Sequence, residues 1–577
     1  MSPSRIAERG AAYSLQAAME PALSASFDLL ATAPQGVAKL RDLILSLAVC
    51  GKLLAQDKRD EPASLLMERI HRQTNRPAPT MSFENVPHGW VRTSFGDVVN
   101  ELCTGPFGSL ISKGEYLTGG VPLVNPSHMH EGFIVEDRSI AVSPQKAESL
   151  KAYELSPGDI VFARRGNVGR NAIVQDHQRG WLCGTGSFFA KLHDDLCRPF
   201  VQLVFNSREM RRYLVGSAVG ATMVNLNQRV LLLAPMSIPP LAEQLRIVAR
   251  VEELMQLCDA LEAHGQLQDE QHARLVATLF DALAASASAE ELAENWQRIA
   301  THFDLLLDRP EAVDALEQTL LQLAARGLLV PQDSADEPAS MLLTRIRAEK
   351  DRLAAEGQFK RDKPIAPVSD EMAPFDVRSG WEWVPFGELV NISSGITLGR
   401  KTTPSKPVTL PYLRVANVQR WHLDLDDLKI ITVGEDELPR FLLQRGDLLL
   451  TEGGDWDKVG RTCTWQGAVK QCLHQNHVFK ARGVLPEWSP AWAELYLNSA
   501  YARTYFAGAS KQTTNLASIN STQLKSCPFP LPPLAEQHRI VARVEQLRGL
   551  CAELRERLQQ SRATQSCLAE ALMAQIA

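Results

Sequence analysis

At 577 residues the chain has room for about three to five domains, and 45% hydrophobic with 22% charged residues is the balance of ordinary globular protein. A net charge of −6 withholds the basic excess usual in nucleic-acid binders, and no apolar run approaches the roughly 20 residues that span a bilayer. The start Met1-Ser2-Pro3-Ser4-Arg5 lacks the basic and apolar blocks of a signal peptide, and ten scattered cysteines without a CxxC pair point away from zinc or a disulfide framework and toward a reducing cytoplasm.

Residues 1–30, rich in Ala and Ser, read as a flexible or loosely helical extension. From Val37 to Leu54 apolar residues recur at helical spacing (Leu40, Leu43, Ile44, Leu47), with Gly51 as a stop. Glu61-Pro62-Ala63-Ser64 opens a second helix through Ile70, and 74–88 reads as a linker. The character then changes. Val121-Pro122-Leu123-Val124, Gly132-Phe133-Ile134-Val135 and Gly158-Asp159-Ile160-Val161-Phe162 are short apolar runs between turn residues, the pattern of strands. Residues 199–215 predict helix. After Ile238-Pro239-Pro240 a long helix begins at Leu241 and extends to about Ala282, since proline is tolerated at a helix start.

All of this recurs. Leu241-Ala242-Glu243-Gln244-Leu245-Arg246-Ile247-Val248 returns as Leu534-Ala535-Glu536-Gln537-His538-Arg539-Ile540-Val541. Gly51, Gln56 and Asp57 return as Gly327, Gln332 and Asp333; Gly89-Trp90 as Gly380-Trp381; Gly158-Asp159 as Gly446-Asp447. Residues before the first mixed domain are thus the counterpart of 312–352. The period is far too long for a solenoid and marks duplication of whole domains. Both long helices carry a stripe at alternating spacings of four and three, Ile247, Val251, Leu254, Cys258, Leu261 and Ile540, Val544, Leu547, Cys551, Leu554, the spacing of a coiled coil. The cysteine on each rung fits a small apolar core role.

The chain lacks a GxxxxGK[ST] phosphate loop and the [Asp/Asn/Ser]-Pro-Pro-[Tyr/Phe] motif of amino-methyltransferases, so it reads as a recognition protein without catalytic residues. His128 and His130, without a third ligand, read as surface-loop residues. Polar density collects in loops of the mixed domains. Ala163-Arg164-Arg165-Gly166-Asn167-Val168-Gly169-Arg170 follows one strand, and Thr451-Glu452-Gly453-Gly454-Asp455-Trp456-Asp457-Lys458-Val459-Gly460-Arg461 takes its place in the second copy. Glycine permits close approach to a groove, arginine bridges guanine O6 and N7, and asparagine pairs with adenine. A second set precedes each long helix: Asn225 and Asn227 in one copy, Lys511, Asn515 and Asn520 in the other, with helix capping an equal alternative for Asn227 and Asn520. A third comprises the loops 104–113, ending in Lys113, and 394–401, ending in Arg400 and Lys401.

The paired Pro-Pro-Leu-Ala-Glu-Gln-x-Arg-Ile-Val segments (239–248 and 532–541), the Gly-Asp strands and Pro411-Tyr412-Leu413-Arg414-Val415-Ala416-Asn417 resemble the specificity subunit of type I restriction-modification systems over nearly the whole chain. The resemblance implies an α+β fold: two mixed α/β target-recognition domains joined by long antiparallel coiled-coil helices, duplicated with pseudo-twofold symmetry. The expected organisation is an extension and helical segment (1–80), a first recognition domain (81–238), a central helical spacer (239–370), a second recognition domain (371–531) and a C-terminal helix (532–577) pairing with the central one. Each domain is expected to read half of a split double-stranded DNA site, adding Arg414 and Asn417 to the contacts. Two methyltransferase and two restriction/translocase subunits are the implied partners, and S-adenosylmethionine, ATP and Mg²⁺ belong to them; this chain is expected to hold no cofactor or metal and to touch no membrane. A non-DNA scaffold with duplicated protein-binding domains is the first alternative, and an enzyme fused from two copies of a degenerate nuclease or methyltransferase ranks below it.

Overall fold

The computed structural model describes residues 33–74, 81–107, 110–217, 225–357, 364–399, 404, 406–454, 458–513 and 516–576. The extension 1–30, Arg400, Lys401 and Asn515 lie outside them. The chain divides into two compact units, at Gln268/Asp269 and again at Gln560/Ser561.

The first unit opens with helix Gly36–Val49, whose Leu40, Leu43, Ile44 and Leu47 are buried, and it ends before Gly51 at φ 70°. Helix Ala63–Thr74 follows. The mixed domain is built on an antiparallel four-stranded sheet in the order Val99–Thr104, Ser187–Leu192, Ile160–Ala163, Asn171–Ile173. Against it lies a three-stranded sheet of Ala141–Val142, Val121–Val124 and Leu182–Cys183. The central strand Ser187–Leu192 escaped the sequence reading because both its faces are buried, so it shows no alternation. The helical stretch 199–215 is two helices, Arg198–Asn206 and Arg208–Ser217, separated at Ser207, whose hydroxyl accepts from Met210 N at 3.3 Å.

The second unit repeats the plan. Helices Pro310–Ala325 and Ala339–Ala355 precede a four-stranded sheet ordered Val390–Ser394, Val478–Gly483, Leu448–Thr451, Thr462–Thr464, and a three-stranded sheet of Lys429–Gly434, Pro407–Leu413 and Leu473–His474. Among the described residues it also holds a small sheet, Gly453–Gly454, Leu516–Ser518, Lys511–Thr513. In each unit an early strand pairs with the strand that runs into the Pro-Pro pair, Val91–Ser94 with Pro235–Ile238 and Glu382–Pro385 with Pro528–Leu531.

The repeated Leu-Ala-Glu-Gln-x-Arg motif is explained by where each long helix enters. Glu243 is 1% exposed; its carboxylate accepts from Trp90 Nε1 at 3.0 Å and from Gln56 at 3.4 Å. Glu536, equally buried, accepts from Trp381 Nε1 at 2.9 Å. The glutamines fold back onto the proline carbonyls, Gln244 on Pro239 and Gln537 on Pro532, each at 2.9 Å. The arginines reach the preceding helical segment, Arg246 to Asp60 and Arg539 to Asp336, at 2.5 Å. Three motif residues within four positions, Glu243, Gln244 and Arg246 or Glu536, Gln537 and Arg539, thereby clamp helix, sheet and preceding helices together. Burial raises the Glu243 carboxyl above its usual range, opposed by the hydrogen bonds from Trp90 and Gln56.

The long helices are Leu241–Ala285, 45 residues, and Leu534–Ile576, 43 residues. Their stripes do not share a single core. Ile247, Val251, Leu254 and Cys258 join Leu40, Leu43 and Ile44 of their own unit, with Ala569 and Met573 from the tail of the other long helix. In the second unit Cys551, Leu547 and Leu554 join Val313, Leu316 and Leu320, with Val276, Phe280 and Leu283 from the tail of the first long helix. Each stripe is thus shared between its own preceding helix and the opposite tail, a correction to a simple stripe-on-stripe pair. Cys258 and Cys551 are buried at 0% and 5%, and burial pushes both thiols up, Cys258 to about 11, which fits an apolar role.

Candidate nucleic-acid interface

Three sequence-distant loop sets converge on one edge of each mixed domain. In the first domain Arg164 follows strand Ile160–Ala163. Its N–H donates to the Gly186 carbonyl at 2.8 Å, and its carbonyl accepts from Leu226 N at 3.0 Å, while Arg165 forms a β-bridge with Asn225. Ala163 N donates to Arg170 O at 2.7 Å and closes the loop. The turn Gly184-Thr185-Gly186 is anchored through Gly184 N to Val124 O at 2.9 Å. The end of strand Val99–Thr104 meets the same turn: Gly105 N donates to Ser187 O at 2.9 Å. A Cβ on Gly105 would stand 2.0 Å from the Gly184 carbonyl, so only glycine fits. Gln228 ties the last segment in, donating to Leu102 O at 3.1 Å and Thr104 Oγ1 at 3.0 Å.

The second domain repeats the frame with different residues. Glu452 N donates to His477 O and Ile519 N donates to Glu452 O, both at 2.9 Å. Gly453 and Gly454 pair with Ser518 and Ala517. Asn476 N donates to Ile396 O at 2.9 Å, and Gly395 lies as close to the His474 carbonyl as Gly105 does to Gly184, 2.0 Å from a built Cβ. His474 is fully buried; burial pushes its imidazole down to about 4, so it stays neutral and holds Val478 O at 2.8 Å.

On this edge Arg165, Asn167 and Lys458 are exposed, and Arg164, Arg170, Asn225 and Arg461 are half-buried. Arg170 donates to Pro126 O at 3.3 Å and Arg461 to Gln419 Oε1, so each lends part of its guanidinium to the turn after the neighbouring sheet's central strand. Lys511 is brought to the loop by its strand, which pairs with Leu516–Ser518. Lys113 sits in the short turn Lys113–Glu115, and none of the hydrogen bonds above ties that turn to the others. Asn417 is a correction. It is 2% exposed, its Oδ1 accepts from Arg414 N at 2.8 Å and its Nδ2 donates to Asp424 O at 2.9 Å, so it holds a turn. Arg414 gives its Nη2 to Asp427, at 2.9 Å to the carboxylate and 3.0 Å to the carbonyl. His128, the counterpart of Asn417, is likewise buried, its Nδ1 accepting from Asn125 N at 3.3 Å, and burial lowers its pKa; it is not the surface residue expected. His130 is exposed, and among the described residues no group of three His, Cys, Asp or Glu is placed to hold a metal ion. Asn227 and Asn520 are caps: their side chains accept from Val230 N and Gln523 N at 2.9 Å.

The turns 184–186 and 475–477 were not singled out from sequence. Their signal is weak, a short polar break between two buried strands, and only pairing places them beside the arginine loop. Among the described residues no helix is long and apolar enough to cross a membrane.

Two copies of one loop-bearing domain, each leading into a long helix, define a duplicated recognition protein. The family model described as type I restriction modification DNA specificity domain matches residues 87–269 and 378–561, and the chain belongs to that family. It is 32% identical to the type I restriction enzyme EcoEI specificity subunit of Escherichia coli and 32% identical to the EcoAI specificity subunit of the same species, covering 93% of this chain and of each relative. The HsdS subunit from Thermoanaerobacter tengcongensis aligns over 85% of this chain and 97% of its own at 18% identity with a TM-score of 0.40, too loose to add to the assignment.

Proposed function

We propose that this chain is the DNA-reading subunit of a type I restriction-modification complex, each mixed domain reading one half of a split, asymmetric site. The observation that carries this is the shared loop frame. Three backbone hydrogen bonds of the edge recur in both domains, at Arg164 N and Glu452 N, at their carbonyls, and at Gly184 N and Gln475 N, while the side chains on it differ: Arg164, Arg165 and Asn167 in one, Glu452 and Lys458 in the other. A conserved frame with interchangeable polar side chains is what two readers of different sequences require. The long helices act as the spacer. Each compact unit contains the beginning of one and the end of the other, as antiparallel pairing requires. At about 65 Å each they are long enough to hold two readers about one duplex turn, roughly 34–36 Å, apart. Two methyltransferase and two restriction subunits dock on this helical region and bring the cofactors.

Methylome sequencing of a host carrying the system tests this directly. A two-part motif with an unread gap is expected, and replacing 371–531 by the same region of a relative should change one half only. A continuous motif, or both halves changing together, sinks the reading.

A further inference from the structure

Residues 164 and 452 occupy one position in two copies of the same frame. Each follows the third strand of its four-stranded sheet. Each donates its N–H to the turn that enters the neighbouring strand, at 2.8 Å to Gly186 O and 2.9 Å to His477 O. Each accepts at its carbonyl from the segment before the last short helix, at 3.0 Å from Leu226 N and 2.9 Å from Ile519 N. The backbone therefore presents both side chains in the same way.

Their chemistry is opposite. Arginine only donates; an ionised glutamate only accepts. The Arg164 guanidinium carbon lies 5.8 Å from the centroid of Phe188; its Nε is buried, and among the described residues no hydrogen bond or ion pair engages its two terminal nitrogens, which are the donors left to face a ligand. Glu452 keeps 30% of its side-chain exposure and is steadied by His477, whose Nδ1 stands 2.8 Å from Oε2. A carboxylate on an edge that meets phosphates is repelled by them, and it gains only where a hydrogen-bond donor faces it. In a duplex groove that donor is an exocyclic amino group of a base.

We infer that position 164/452 reads a base in each half-site and that the two bases present opposite polarity. The first domain takes the acceptor edge of guanine, O6 and N7, on Arg164. The second takes an amino group, cytosine N4 or adenine N6, on Glu452 with His477 as its orienting partner. This deepens the proposed function and rests on it.

The test is methylome sequencing of hosts carrying the whole system with wild-type, Arg164→Gln or Glu452→Gln chain. Glu452→Gln keeps size and the His477 contact but adds donors. The expected result is loss of about ten- to a hundredfold preference for one base. For Glu452→Gln this falls in the half read by 371–531, and the wild-type base there, cytosine or adenine, identifies the amino group. Arg164→Gln should relax one guanine in the other half. In both variants the gap and the remaining bases stay as they are. A wild-type motif that is not bipartite overturns the functional reading itself. A bipartite wild-type motif unchanged in both variants overturns this inference alone. So does a uniform fall in methylation at every site with no base relaxed, which would assign the two side chains to phosphate contact or packing.

Discussion

At the scale of single residues, the most repeated side chains in the sequence are structural. Trp90 and Trp381 each donate to a buried carboxylate at a helix entry. Trp90→Phe keeps the ring but withdraws the donor, leaving Glu243 with Gln56 at 3.4 Å. A destabilisation of about 1–3 kcal/mol is expected, measured by denaturant unfolding; an unchanged midpoint would show that water replaces the indole N–H. Lys480 offers a pH test. It is 4% exposed, donates to Arg440 O at 2.8 Å, and burial lowers its pKa from 10.5 to about 8. Between those values the unfolded chain holds a proton that the folded chain has released. The contribution of Lys480 to stability therefore rises with pH across that window. Lys480→Met removes this contribution, so wild type should gain on the variant from pH 8 to 10.5 in paired unfolding curves. A constant difference would place the Lys480 pKa near its ordinary value.

At the scale of elements, one matching turn of the recognition domain is held in different ways in the two units. Arg548 stacks 4.2 Å from the ring centroid of Trp421 while its Nε donates to Glu317 at 2.7 Å. Trp421 holds φ 68°, a left-handed backbone that a side chain adopts only when its surroundings insist. Gly132 has the matching place in the first domain, at φ 87°, and there the helix Arg198–Asn206 supplies the tie, with Gln202 donating to Gly132 O at 2.9 Å. Trp421→Ala and Trp421→Gly both lose the cation–π contact, but glycine also relieves the backbone. The glycine variant should be the more stable of the two by about 1 kcal/mol in thermal or denaturant unfolding. Equal stability would mean that the turn relaxes when the ring is gone.

At the scale of the molecule, each stripe is bound to its own unit's preceding helix as well as to the opposite tail. Lengthening the spacer therefore means lengthening both long helices together. Seven residues inserted between Gln268 and Asp269, and seven between Gln560 and Ser561, add about 10 Å while nearly preserving the apolar face. The unread gap should grow by about three base pairs at about 3.4 Å each, with both half-sites unchanged in methylome sequencing. An active variant with the original gap would remove the helices from the role of ruler.

The sequence alone determined the duplication, the long helices and the placing of polar loops after the Gly-Asp strands. Those are local or periodic signals: an apolar stripe, a proline pair at a helix entry, a glycine turn. Its anchors also aligned Gly51 with Gly327 and Trp90 with Trp381, without showing that Trp90 reaches Glu243, more than a hundred residues away. The candidate edge was legible only in part. Arg164, Arg165 and Lys458 lie on the loops after the Gly-Asp strands and reach the surface, whereas Asn417 carries the same polar signal and is buried under its own turn. Propensity does not distinguish an asparagine that caps a turn from one that faces a groove, because both are polar and both sit in loops. The turns 184–186 and 475–477, and the shared position of Arg164 and Glu452, came from strand pairing. Pairing is set by side-chain packing between segments far apart in the chain, and that packing exists only once the sheets have formed.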